Sequence, residues 1–140
     1  MNRLIALLAV ALLAPALGAD EVDNELAKMQ GRWTVERLEE NGKAEPAEEI
    51  KKFTINIDGT KFAVNMDGRE ESMKLQIDPD RSPKWINLTP EFGDDKGKTA
   101  KGIYELQGDT LRICARPKGG DRTTKFVSEQ GTMLLVLKRK

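Results

Sequence analysis

The sequence predicts an all-β fold, an eight-stranded antiparallel up-and-down barrel with a short N-terminal helix. Three observations carry this. Apolar and polar residues alternate in eight short segments, the period of a half-buried strand. Turn signals such as Asn41-Gly42, Asp58-Gly59, Asp67-Gly68 and Gly108-Asp109 punctuate them, at intervals of about 8–12 residues. No long helical pattern stands between neighbouring segments, so parallel crossovers are not expected. A meander of this kind hides its edges by closing into a barrel or by packing as two sheets.

The first segment, residues 1–18, is not expected to belong to the fold. Asn2 and Arg3 precede an apolar run over 4–13, Pro15 breaks it, and Ala16, Gly18 and Ala19 are small. That order reads as a secretory signal peptide. The run is shorter than the roughly 20 residues a spanning helix needs. The single Cys, Cys114, is far from it, which excludes a lipoprotein anchor. The domain is therefore expected over 19–140, secreted or periplasmic, with no membrane span in the mature chain.

Val22, Leu26 and Met29 are spaced four and three apart, the stripe of a short amphipathic helix. After Gly31 the period changes to two. Trp33, Val35 and Arg37 are expected on one side of the first strand. Pro46 and the acids Glu48 and Glu49 mark one helical turn over 46–52. Phe53, Ile55 and Ile57 alternate next, then Phe62, Val64 and Met66, then Met73, Leu75 and Ile77. In the segment after Pro83, Ile86 and Leu88 share a face and Trp85 points the other way. Tyr104 and Leu106 face together, as do Leu111 and Ile113, with Cys114 opposite. Phe126 and Val127 are expected to form a short pairing segment. Residues 133–137 are apolar on both faces, so the last strand is expected to be covered outside as well, by the N-terminal helix.

Composition removes several chemistries. The chain has 23 Lys and Arg, 23 Asp and Glu, no His and one Cys. Loss of Arg3 with the signal peptide leaves 22 basic and 23 acidic residues, a net charge of −1. There is no basic footprint for nucleic acid. Without His the usual neutral-pH base and the commonest metal ligand are missing. No cofactor or metal is expected, and the chain is not expected to be an enzyme. The carboxylate pairs Glu39-Glu40, Glu48-Glu49, Glu70-Glu71 and Asp94-Asp95 read as solvated surface, because neighbours on a strand point to opposite faces. Asp78, Asp80, Asp94 and Asp95 lack the spacing of a calcium loop. Arg112 and Arg116 flank Cys114 at i±2, where they would lower its thiol pKa, but a packed, quiet cysteine is favoured. Two basic clusters, Lys96, Lys98 and Lys101 and then Arg116, Lys118 and Arg122, match no phosphate-binding fingerprint, and nearby acids neutralise them.

Gly31-Arg32-Trp33, after a helix and opening the first strand, resembles the G-x-W signature of lipocalin-like (calycin) barrels. The resemblance implies a structural plug: Gly31, with Trp33 closing one barrel end and a basic residue near the C-terminus, Arg139, packed over the indole. A second resemblance covers nearly the whole mature chain. It rests on residues 26–33, 41–43, 46–50, 86–90, 96–98, 102–106 and 108–111, on Cys114, Arg122 and Phe126, and on 134–139. These are similar to an exported bacterial domain family abundant in planctomycetes, to which no activity is attached. The chain lacks a second lipocalin signature of the Thr-Asp-Tyr type.

The barrel interior is the remaining candidate site, with Phe53, Ile55, Phe62, Val64, Met73, Leu75, Tyr104 and Ile113 as the candidate ligand-binding residues. Large inward side chains on short strands predict a mostly filled core. The leading expectation is a secreted, non-catalytic lipocalin-like module that binds a small apolar or amphipathic ligand or contacts a macromolecule through its loops. The alternative is a cell-envelope structural or protein-interaction domain with a filled barrel and no ligand. The expected partners are a small hydrophobic ligand or an envelope protein, and not nucleic acid. A continuous apolar cavity above about 300 Å³ separates the two. If the indole is a plug, Trp33→Ala costs about 3–5 kcal/mol of stability by urea unfolding, and a loss under about 1 kcal/mol refutes it.

Overall fold

A computed structural model describes residues 20–140; the expected signal peptide lies outside the described residues. Helix α1 covers residues 20–29. Strand β1 (Gly31–Glu40) follows at once, then the two-residue β2 (Lys43–Ala44) and the single turn α2 (Ala47–Ile50). The remaining strands are β3 (Phe53–Asp58), β4 (Lys61–Met66), β5 (Arg69–Asp78), β6 (Lys84–Pro90), β7 (Ala100–Gln107), β8 (Thr110–Arg116) and β9 (Met133–Arg139).

Strand β1 pairs antiparallel with β3, each strand from β3 onward pairs antiparallel with the next, and β9 returns to pair with β1. The sheet is thus a closed eight-stranded up-and-down barrel, with β2 an appendage on the end of β1. Closure leaves the barrel strands no free edge, which is how so short a set of strands satisfies its backbone groups. Hairpin turns fall where the sequence marks them, with Asn41 and Asp67 in the left-handed conformation before their glycines.

The register puts the expected residues on the inner face. Ile57 opposes Phe62, Ile55 opposes Val64, Leu75 opposes Leu88, and Tyr104 opposes Ile113. The first strand departs from simple alternation. Its pairing with β9 shifts between Val35 and Arg37, so Glu36 is a bulge. Arg37 therefore opposes the outward Val136, and Leu38 takes the inward position opposite Leu135. The expectation that Arg37 shares a face with Trp33 is corrected by that one extra residue.

Two other expectations change. Phe126 and Val127 form no strand; they lie in the long connection between β8 and β9. This connection, not α1, covers the outer face of the last strand. Ile103, Cys114 and Leu134 are buried beneath it with Trp85, Phe126 and Val136 packed around them. Helix α1 instead closes one end of the barrel, with Met29 fully buried in the main core and Leu26 against it. The helix carries one apolar stripe, and the barrel end is the large apolar surface not already sealed by hydrogen-bonded strands.

Gly102 sets how closely β7 approaches β8. A Cβ there would sit 2.7 Å from the Cβ of Ala115 and would meet the Cys114 carbonyl oxygen. The backbone oxygen cannot move without breaking the ladder. Gly102→Ala is expected to destabilise the protein by about 1–3 kcal/mol in urea unfolding; a change below about 0.5 kcal/mol would mean that the two strands separate freely.

Candidate functional site

The eight candidate residues of the interior all face the barrel axis and pack as a core, with Met73 and Tyr104 also bordering surface clefts. Ile55, Phe62, Leu75, Tyr104 and Ile113 are each at most 2% exposed. They pack directly against one another and against Trp33, Ile57, Ile86 and Leu111. Phe53, Val64 and Met73 are partly buried and pack on this cluster from the far end. Clefts of about 180–450 Å³ occur on the surface, lined by rim, loop and outer-face side chains.

At the end closed by α1, Trp33 is fully buried and its indole N–H donates to the Met29 carbonyl at 2.9 Å. The Arg139 guanidinium lies 4.3 Å from the indole centroid. It also donates to the Gln30 carbonyl at 2.7 Å and to the Lys28 carbonyl, and its Nε sits 3.4 Å from Asp109. Those carbonyls end α1 without intrahelical partners, so a cation there satisfies both the orphaned acceptors and the helix dipole. Gly31 has φ +112° and lies against the same guanidinium. A side chain there would be strained in that backbone conformation. Gly31, Trp33 and Arg139 thus form one contiguous stopper.

A polar group beside the stopper has no counterpart in the sequence reading. Glu25, on α1, is 7% exposed. Its Oε1 accepts from Lys84 Nζ at 2.7 Å and from the Tyr104 hydroxyl at 3.2 Å. Glu25 lies three residues after Val22 and four before Met29, so it falls on the buried face of the helix. Periodicity alone gives no reason to expect an acid to be stabilised there. Burial, and then the neighbouring Glu25 charge, pushes the Tyr104 phenol far above its ordinary value of 10.0. The three groups fasten α1 to β6 and β7.

The outer face uses its arginines for structure. Arg122 donates to the Ile86 carbonyl at 3.0 Å, to the Gly102 carbonyl at 2.8 Å and to Asn87 Oδ1 at 2.9 Å. It stacks on Trp85 at 4.2 Å, as does Arg81 at 4.0 Å. Burial, with the Arg81 charge adding, lowers the Arg122 pKa. Arg112 stacks on Phe126 and pairs with Glu105 at 3.0 Å. Arg116 donates to the Asp121 carbonyl at 2.9 Å. The cluster Arg116, Lys118 and Arg122 therefore has two of its members committed to backbone carbonyls. Cys114 is fully buried, and burial pushes its thiol pKa up. The expected lowering by flanking arginines is outweighed; Arg112 is turned to Glu105 and Phe126, and Arg116 contributes least among the causes.

The opposite end of the barrel carries a cleft of about 440 Å³ between the start of β5 and the β6–β7 loop. Glu70, Glu71, Asp94 and Asp95 line it together with Met73, Pro90 and Phe92. Glu70 opposes Asn65 and Glu71 opposes Val64, so the two acids do leave opposite faces of β5. Both reach this cleft because it lies across the end of the sheet. No group of three or more potential metal ligands occurs among the described residues. No helix among them is long and apolar enough to cross a membrane. Comparison with family models, curated proteins and solved structures finds no match to this chain.

The lone tyrosine makes the α1 anchor measurable. Below pH ~10 the phenol is protonated in both folded and unfolded chains and contributes no pH dependence. Above pH ~10 the unfolded chain releases that proton and the folded chain holds it, so stability falls as pH rises. Absorbance at 295 nm is expected to show no phenolate in the native protein at pH 11 and a normal titration in urea. A native midpoint near 10 would mean that Tyr104 is not sealed beneath α1.

Proposed function

We propose that the protein is a secreted, non-catalytic lipocalin-like barrel that works as a cell-envelope interaction domain, not as a carrier. The observation that supports this reading is the packing of the interior. Five of the eight candidate ligand-binding residues are at most 2% exposed, and they belong to one packed core cluster. A carrier barrel needs room for its cargo, on the order of 300 Å³ or more of enclosed apolar space. Here that volume is occupied by Trp33, Phe62, Tyr104 and their aliphatic neighbours.

The signal-peptide pattern over 1–18 supports the location outside the cytoplasm. The absence of His from the sequence supports the non-catalytic reading. The described ionisable clusters also have structural uses: Glu25 with Lys84 and Tyr104 holds α1, and Arg122 holds the β8–β9 connection. What remains for recognition is the rim and the loops, carried on a rigid closed sheet.

Titration with a fluorescent fatty acid tests the reading. No saturable binding tighter than about 100 µM is expected. One-to-one micromolar binding, lost in Leu75→Trp or another interior filling variant that still folds, would overturn it in favour of a carrier.

A further inference from the structure

We propose that the cleft at the open end of the barrel docks a cationic, amphipathic peptide segment of a partner protein. This rests on the interaction-domain reading above and names the surface and the partner chemistry. The end of the barrel away from α1 is where apolar side chains are left uncovered. Phe92 is 76% exposed and Met66 37%. Phe92 lines the cleft with Met73 and Pro90.

Phe92 is exposed on a fixed loop. The Glu91 N–H donates to the Ser72 carbonyl at 3.2 Å, and the Gly97 N–H donates to the Pro90 carbonyl at 3.0 Å. Two further backbone bonds, Lys96 to Gly93 and Lys98 to Asp95, fold the loop on itself, and Thr89 bonds Thr99 at 2.8 Å across its base. The phenyl ring is thus presented to solvent by a hydrogen-bonded loop, so a partner would bury it at little ordering cost.

The charged side chains that line the cleft have one sign. Glu70, Glu71, Asp94 and Asp95 line the cleft, and no Lys or Arg does. Glu70 and Asp95 have loose exposed lysine partners, at 3.9 Å and 3.7 Å, while Glu71 and Asp94 pair with no cation among the described residues. An apolar floor under four carboxylates is complementary to a segment that alternates apolar side chains with Lys or Arg. The same charges repel nucleic acid and anionic lipid headgroups.

The test is an NMR titration of the purified, 15N-labelled protein with the synthetic peptide Lys-Leu-Leu-Lys-Leu-Leu-Lys and with its Glu-for-Lys counterpart. The cationic peptide is expected to shift amide signals of residues 70–73 and 90–95, with affinity falling as salt rises. Phe92→Ala and the pair Glu71→Gln with Asp94→Asn are each expected to weaken it at least about fivefold. Both sets are exposed, and an unchanged spectrum elsewhere checks that the variants fold. Equal binding of the acidic counterpart, signal changes elsewhere on the barrel, or no shift at all would overturn the cleft assignment. None of those outcomes touches the interaction-domain reading, which fails separately if the fatty acid occupies the interior.

Discussion

One guanidinium holds the two ends of the chain together. Arg139 is the last residue of β9, and Trp33 lies near the start of β1, directly opposite it in the closing pair of strands. The stack of one on the other, at 4.3 Å, occurs where the barrel must both close and be capped. The same cation accepts the load of α1 by binding its terminal carbonyls. Each of these interactions is modest alone. A cation–π contact contributes about 0.5–2 kcal/mol, and more when desolvated. Together they share a single rigid planar group, so none forms in its native geometry without the others. Helix, first strand and last strand are therefore coupled through a contact between residues more than a hundred positions apart.

That closure determines what the interior can be. With Trp33 and Met29 filling one end, the remaining axis is short, and the large aliphatic and aromatic side chains that face it pack into one buried cluster. Interiors pack to near-crystalline density, so eight short strands carrying Phe, Ile, Leu and Tyr inward leave little room for a guest. The recognition chemistry is displaced to surfaces that packing does not consume. The two ends then differ in kind. One is sealed by a helix and a buried Glu25–Lys84–Tyr104 group. The other keeps an apolar, acidic cleft open to solvent.

The candidate interior was legible residue by residue, since a strict period of two leaves no freedom in which side chains share a face. Where the period broke, legibility broke with it. Glu36 is inserted as a bulge, and no local residue pattern announces it; only the pairing of β1 with β9 makes the extra residue visible. Phe126 beside Val127 suggests a strand fragment, but the β8–β9 connection holds no strand there. The connection is instead held by its own Arg122, which donates to carbonyls of β6 and β7, and by Asn41, whose Oδ1 accepts from the Gly131 N–H. Glu25 carries no such signal, because an acid in a helix is ordinarily a solvated one.

Sequence alone determined the meander: its strand count, its hairpins and the inward residues. Those features depend on local alternation and turn stereochemistry, which are properties of consecutive residues. Tertiary structure decided the rest. It set which end α1 covers, that the outer face of β9 lies under the β8–β9 connection, and that the arginines near Cys114 are committed to other groups. Each of these depends on side chains brought together across the barrel wall, and the distances between such groups are set by closure of the sheet, not by their separation along the chain.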